Sequence, residues 1–118
     1  MLRRPPVDGL PPAEVRFTEL RVEPMPDGRR LRVHVTLTPF QQKPNVEASI
    51  KDESGREVSY ANIIETAEFR FVFTMHIRSK AVSGTYILTT GLNYQDLGII
   101  DEKSISFSTQ ASPDEKAS

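Results

Sequence analysis

Between residues 31 and 38 apolar and polar side chains alternate without a break. Leu31, Val33, Val35 and Leu37 fall on one side, and Arg32, His34, Thr36 and Thr38 on the other. A repeat of two is the period of a β-strand with one buried and one wet face. The same period recurs in Val46, Ala48 and Ile50, then in Val58 and Tyr60, and in Phe69, Phe71, Phe73, Met75 and Ile77. It returns in Tyr86, Leu88, Thr90 and Leu92, and finally in Ile105 and Phe107. Near the start, Val15 and Phe17 alternate, as do Leu20 and Val22, but the two pairs are out of phase. That slip predicts a β-bulge around Thr18–Glu19, or a first strand that switches sheets.

Turn chemistry separates the runs. Pro24-Met25-Pro26-Asp27-Gly28 and Asp52-Glu53-Ser54-Gly55 place glycine where a positive φ is needed, and Ser83-Gly84 marks a further turn. Pro39 ends the second run because it has no N–H for a ladder. No apolar set recurs at helical spacing, and Ser79-Lys80-Ala81-Val82 has room for one helical turn at most. About seven short strands with turns at regular spacing predict an all-β, antiparallel sandwich. Val33, Val35 and Leu37 with Phe69, Phe71, Phe73 and Met75 would line one inner face. Val46, Ile50, Tyr86, Leu88, Ile105 and Phe107 would meet them from the other. The prolines at 5, 6, 11 and 12 make residues 1–13 a leader or linker, 14–110 the sandwich, and 111–118 a polar, disordered tail.

The run Ser83-Gly84-Thr85-Tyr86-Ile87-Leu88-Thr89-Thr90 resembles the Gly-x-Tyr-x-Leu strand of bacterial immunoglobulin-like and fibronectin-III-like modules. Ser104 to Thr109 looks like their closing strand. This resemblance implies an immunoglobulin-like sandwich and a corner role for Tyr86, its ring in the core and its hydroxyl on nearby backbone. A second likeness, through Ile50 to Val58 and Asn62, is to the C-terminal sugar-binding sandwich of ATPases that export O-antigen polysaccharide. No ATPase sequence accompanies it here. The paired cysteines and core tryptophan of immunoglobulins proper are missing.

Composition removes whole classes of function. The 118 residues carry a net charge of −1, which gives no long-range pull toward nucleic acid or an anionic membrane. Without cysteine there is neither disulfide nor thiolate metal site. No apolar stretch approaches a membrane span. Met1-Leu2-Arg3-Arg4 is followed by no secretory apolar run, so a cytoplasmic location is the default expectation. A piece of a larger exported protein would read the same way.

Chemistry is sparse. His34 and His76 fall on polar strand faces with arginines nearby, an unpromising start for a metal site that needs three or four ligands. Arg29, Arg30 and Arg32, with Arg16 and Arg21, form a basic hairpin whose interspersed Glu14, Glu19 and Glu23 suit edge protection better than an anion site. No nucleophile elbow, phosphate loop or zinc-protease motif occurs, so neither an enzyme nor a cofactor is expected.

Strand parity supplies the functional expectation. If seven strands alternate in direction, residues 39–45, 61–67 and 93–102 meet at one end. They carry Phe40, Gln41, Gln42, Asn62, Asn93, Tyr94, Gln95 and Asp96 as candidate binding residues, with Ile63, Ile64, Leu97, Ile99 and Ile100 among them. Aromatic anchors with adaptable amides are the composition of a binding surface. The alternative is that the aliphatic residues fold inward as a satellite core. A non-catalytic module for protein interaction or scaffolding is the leading expectation, and a carbohydrate-binding module the second.

Overall fold

The computed structural model describes residues 9–78 and 84–109. The alternating runs become β1 (Phe17–Pro24), β2 (Arg30–Leu37), β3 (Asn45–Lys51), β4 (Glu57–Ile63), β5 (Arg70–His76), β6 (Gly84–Tyr94) and β7 (Gly98–Thr109). They form a three-stranded sheet, β1-β2-β5, and a four-stranded sheet, β4-β3-β6-β7, with every pairing antiparallel. The sandwich predicted from alternation is the fold. In the immunoglobulin constant order the fourth strand lies beside the fifth; here β4 bonds to β3 instead. The phase slip in β1 is a register shift between Phe17 and Glu19, and β1 stays on β2 throughout instead of changing sheets.

The core is the buried half of each alternation. Leu31, Val33, Val35 and Leu37 face Val46, Ala48, Ile50, Leu88 and Leu92, with Met75, Ile77 and Tyr86 completing the layer. Two expectations about depth fail. β5 begins at Arg70, so Phe69 stands outside it and is 41% exposed. Phe71 and Phe73, like Ile105 and Phe107, are only partly buried, because β5 and β7 are edge strands and their inner faces reach the margin of the sandwich.

A specific bond clasps each open flank. The carbonyl of Val58 accepts the Arg78 N–H at 2.8 Å, tying the end of β5's chain to β4. On the other flank the Asp101 carboxylate accepts the Phe17 N–H at 2.9 Å, tying β7 to β1. The packed chain begins earlier than the boundary expected at residue 14. Leu10 bridges Phe40, and Pro12–Glu14 form a single 3₁₀ turn. Residues 1–8, the turn expected around Ser79–Val82 and the tail 111–118 lie outside the described residues.

Candidate functional site

The pairings Thr36 with Arg70, Val46 with Ile63 and Asn45 with Asn93 put the β2–β3, β4–β5 and β6–β7 connections at one end. The strands reach further than alternation suggested. β4 runs through Ile63 and β6 through Tyr94, so the second and third connections shrink to residues 64–69 and 95–97.

The β2–β3 connection is locked from below. Leu10 donates to the Pro39 carbonyl at 2.9 Å, and Gln41 returns an N–H to the Leu10 carbonyl at 3.0 Å. The Gln41 side chain donates to the Gly9 carbonyl at 3.2 Å. A Cβ on Gly9 would sit 2.4 Å from the Phe40 carbonyl carbon, so this close approach requires glycine. The Phe40 ring packs against the core and meets Phe69 edge-on, with centroids 4.7 Å apart.

Tyr94 locks the same loop from the side. Its ring is 7% exposed, and its hydroxyl donates to the Gln42 carbonyl at 2.7 Å. Burial raises its pKa above the ordinary tyrosine value. Tyr94 therefore makes the ring-in-core, hydroxyl-on-backbone arrangement that the resemblance assigned to Tyr86. Tyr86 buries its ring beside Phe107, with centroids 5.7 Å apart, and its hydroxyl bonds no backbone group among the described residues.

Asn45 ties the remaining connections together. Its Oδ1 accepts the Glu65 N–H at 2.8 Å, and its Nδ2 donates to Asn93 Oδ1 at 3.3 Å. Glu65 holds φ at 51°, a left-handed conformation that disfavours a side chain, and the neighbouring Thr66 N–H bonds the buried Pro44's carbonyl at 3.0 Å. The 95–97 turn closes through Leu97 N–H to the Tyr94 carbonyl at 3.1 Å, with Gly98 following at φ 76°.

Between these connections lies a cleft of about 580 Å³. Pro11, Pro12 and Ala13 form one wall; Ile64 and Leu97 supply apolar surface; Gln42, Lys43, Asn45, Glu65, Gln95 and Asp96 supply the polar groups. Of the eight residues expected from sequence, the structure brings Gln42, Tyr94, Gln95 and Asp96 to this cleft. Phe40 and Gln41 are spent holding residues 9 and 10, and Asn93 holds Asn45. Asn62 stands apart, exposed on β4 opposite Glu47. The aliphatic residues divide. Ile100 packs against the core, whereas Ile64, Leu97 and Ile99 are 69%, 50% and 60% exposed.

Asn45, Lys43, Glu65 and the Pro11–Ala13 wall were missed. Nothing local marks Asn45 or Glu65, since their roles arise from bonds between separate connections. The proline wall was hidden because proline-rich sequence reads equally well as linker.

Among the described residues the lining contains no histidine, cysteine or serine. Both histidines lie on the outer face of the other sheet, where the register keeps them four residues apart: His34 opposite Val72 and His76 opposite Arg30. His34 pairs with Glu23 at 3.0 Å. Among the described residues no three His, Cys, Asp or Glu side chains group to hold a metal ion. In the basic hairpin, Asp27 accepts the Arg29 and Arg30 N–H groups at 2.9 and 3.0 Å and the Arg30 side chain at 2.7 Å. Those bonds, the Arg29 N–H foremost, hold its pKa at about 2. Among the described residues no helix is long and apolar enough to cross a membrane.

No protein-family model matches the sequence, and no curated protein matches it. Solved structures do match in fold. A family 76 glycoside hydrolase from a bovine Bacteroides thetaiotaomicron strain aligns with a TM-score of 0.64 at 17% identity, over 80% of this chain and 20% of that one. Bifidobacterium dentium β-glucuronidase aligns with a TM-score of 0.60 at 15% identity, over 79% and 18%. A glycosyl hydrolase family 2 member from Bacteroides cellulosilyticus aligns with a TM-score of 0.57 at 18% identity, over 79% and 14%. This chain thus spans a fifth or less of each of these proteins, and what it shares with them is the fold of one sandwich.

Proposed function

We propose that this chain is a non-catalytic accessory sandwich that seats its loop end against a protein surface. The observation that carries this reading is the position of Ile64 and Leu97. Both are at least half exposed, both border the same cleft, and both sit on connections fixed by Asn45 and Tyr94. Apolar side chains held out on a rigid frame lose little conformational entropy when a partner covers them. Sandwiches of this fold form small parts of the larger glycosidase chains above, which fits an accessory role.

A sugar is the second reading, favoured by the amides of Gln42, Asn45 and Gln95 and the carboxylates of Glu65 and Asp96 around one cleft. Against it, Tyr94 turns its ring inward and the exposed Phe69 does not line the cleft, so the cleft offers no open stacking platform. Capture from native lysate with wild type, Ile64→Ser and Leu97→Ser tests the first reading. Both variants should lose a partner that wild type retains, at unchanged melting temperature. Equal capture by all three would refute it. Saturable binding of an oligosaccharide, lost in Gln95→Ala, would transfer the cleft to the second reading.

A further inference from the structure

We infer that β7 is a self-pairing edge, through which two copies of this chain join antiparallel strands along Ser104–Thr109 to make one continuous sheet. Sheet edges in soluble proteins are normally guarded by charge, proline, bulges or a covering segment, because an unpaired ladder templates another strand. Three edges here follow that rule. β1 carries a register shift, the charges of Glu19, Arg21 and Glu23, and a terminal Pro24. β5 is short and bounded by Arg70 and His76, and the chain beyond it occupies the Val58 carbonyl of β4.

β7 is guarded in its first half only. There the register shift opposite Leu92 and Asn93, the charged run Asp101-Glu102-Lys103 and the clasp to Phe17 close the flank. The second half, Ser104-Ile105-Ser106-Phe107-Ser108-Thr109, has no charge, proline, glycine or register shift. Among the described residues no strand pairs with its outer side.

The segment is also apolar on the side that needs cover. Ile105 and Phe107 are partly exposed, although their neighbours across the ladder, Leu88 and Tyr86, are buried. Counting along both strands from the Phe17–Asp101 bond brings the partly buried Leu20 and Val22 of β1 level with residues 103–106.

The sequence of this half-strand complements itself. A two-fold axis through Ser106 sets Ser106 opposite Ser106 of the second copy, Ile105 opposite Phe107, and Ser104 opposite Ser108. Apolar residues then meet apolar residues on the inner face. On the outer face the new serine pairs extend hydroxyl contacts already present, Thr89–Ser104 at 3.1 Å and Thr85–Ser108 at 3.4 Å. The nearest charge, Lys103, meets Thr109, so no like charges are opposed. An isologous contact of this kind closes at two copies and does not propagate into fibres. Because the paired strands run antiparallel, the two loop ends point in opposite directions, and the dimer would present two contact surfaces.

Sedimentation equilibrium of the whole chain over a micromolar to submillimolar range tests this, independently of any partner at the loop end. Wild type should self-associate to a dimer. Ser106 is exposed, so Ser106→Lys and Ser106→Glu should fold as wild type does, checked by circular dichroism and melting. Each sets like charges together at the axis and should weaken dimerisation by about two- to fivefold. An equimolar mixture of the two should restore it, since Lys then faces Glu. A wild type that stays monomeric throughout, or a Ser106→Lys protein that dimerises as wild type does, would overturn the inference.

Discussion

Tyr94 can be either an exposed anchor or an internal lock, and its two truncations distinguish the roles. The ring is 7% exposed, so Tyr94→Ala empties a space the size of a phenyl group and should cost about 3–5 kcal/mol. Tyr94→Phe keeps the ring and removes only the 2.7 Å bond to the Gln42 carbonyl. A neutral hydrogen bond is worth about 0.5–1.5 kcal/mol net, and Gln42 lies at the exposed loop where water can replace the donor, so about 1 kcal/mol or less is expected. Urea unfolding followed by far-ultraviolet circular dichroism is the appropriate assay, because the chain has no tryptophan and Tyr94 is itself one of only three tyrosines. With unchanged slopes, the alanine variant should unfold at a much lower midpoint and the phenylalanine variant only slightly below wild type. The buried phenol also favours its neutral form. Its contribution is therefore complete below the ordinary tyrosine range and is lost as pH rises through the elevated native value. A Tyr94→Ala protein nearly as stable as wild type but defective in partner capture would show that the ring is a contact residue and refute the lock.

Leu88 is fully buried and Val72 is half exposed on the opposite side of its own strand pattern, so Leu88→Ala should cost about 2–5 kcal/mol and Val72→Ala well under 1 in the same urea assay. Asp27 is held at about 2 in the folded chain, below its ordinary value of 3.8. The stability it contributes is present above that ordinary value and is lost as pH falls toward 2, so melting curves of wild type and Asp27→Ala should differ at neutral pH and converge in acid. Asn45→Ala removes two hydrogen bonds and should cost about 1–3 kcal/mol, with hydrogen exchange quickening first at the Glu65 amide.

The strands and their facing were legible because a period of two is local information: each residue's side of the sheet follows from its neighbours' positions. Even the bulge in β1 announced itself, since one extra residue must throw Leu20 and Val22 out of phase with Phe17. Depth of burial is not local. Phe71, Phe73, Ile105 and Phe107 alternate as regularly as Val33 and Val35, yet lie at the margin because their strands have one neighbour instead of two. The sheet chosen by β4 was likewise hidden, since its alternation would satisfy either partner. At the loop end two aromatic residues lie deeper than their sequence surroundings suggest. Tyr94 continues the series of Tyr86, Leu88, Thr90 and Leu92, and its alternation argued for an inner face, but the amide-rich company of Asn93 and Gln95 suggested a loop. Phe40 is covered by a segment that reads as linker, and nothing in its own neighbourhood could reveal Leu10 beneath it.

The proposed contact surface consequently depends on a frame that the sequence conceals. A left-handed glutamate costs on the order of 1–3 kcal/mol, and a free loop would relax it. Here the Glu65 amide is held by Asn45 and the following amide by Pro44, so the adjacent Ile64 projects outward in a fixed direction. On the facing connection, the Tyr94 ring and the positive φ of Gly98 fix the turn that carries Leu97. The two large exposed aliphatic side chains of the cleft are therefore set by bonds anchored in β3 and β6, the central strands of the larger sheet. A loop end built in this way does not adapt to many shapes. On the proposed reading it would select partners whose surface already offers two apolar pockets at the matching separation, and the polar rim of Gln42, Gln95 and Asp96 would then decide among them by hydrogen bonding.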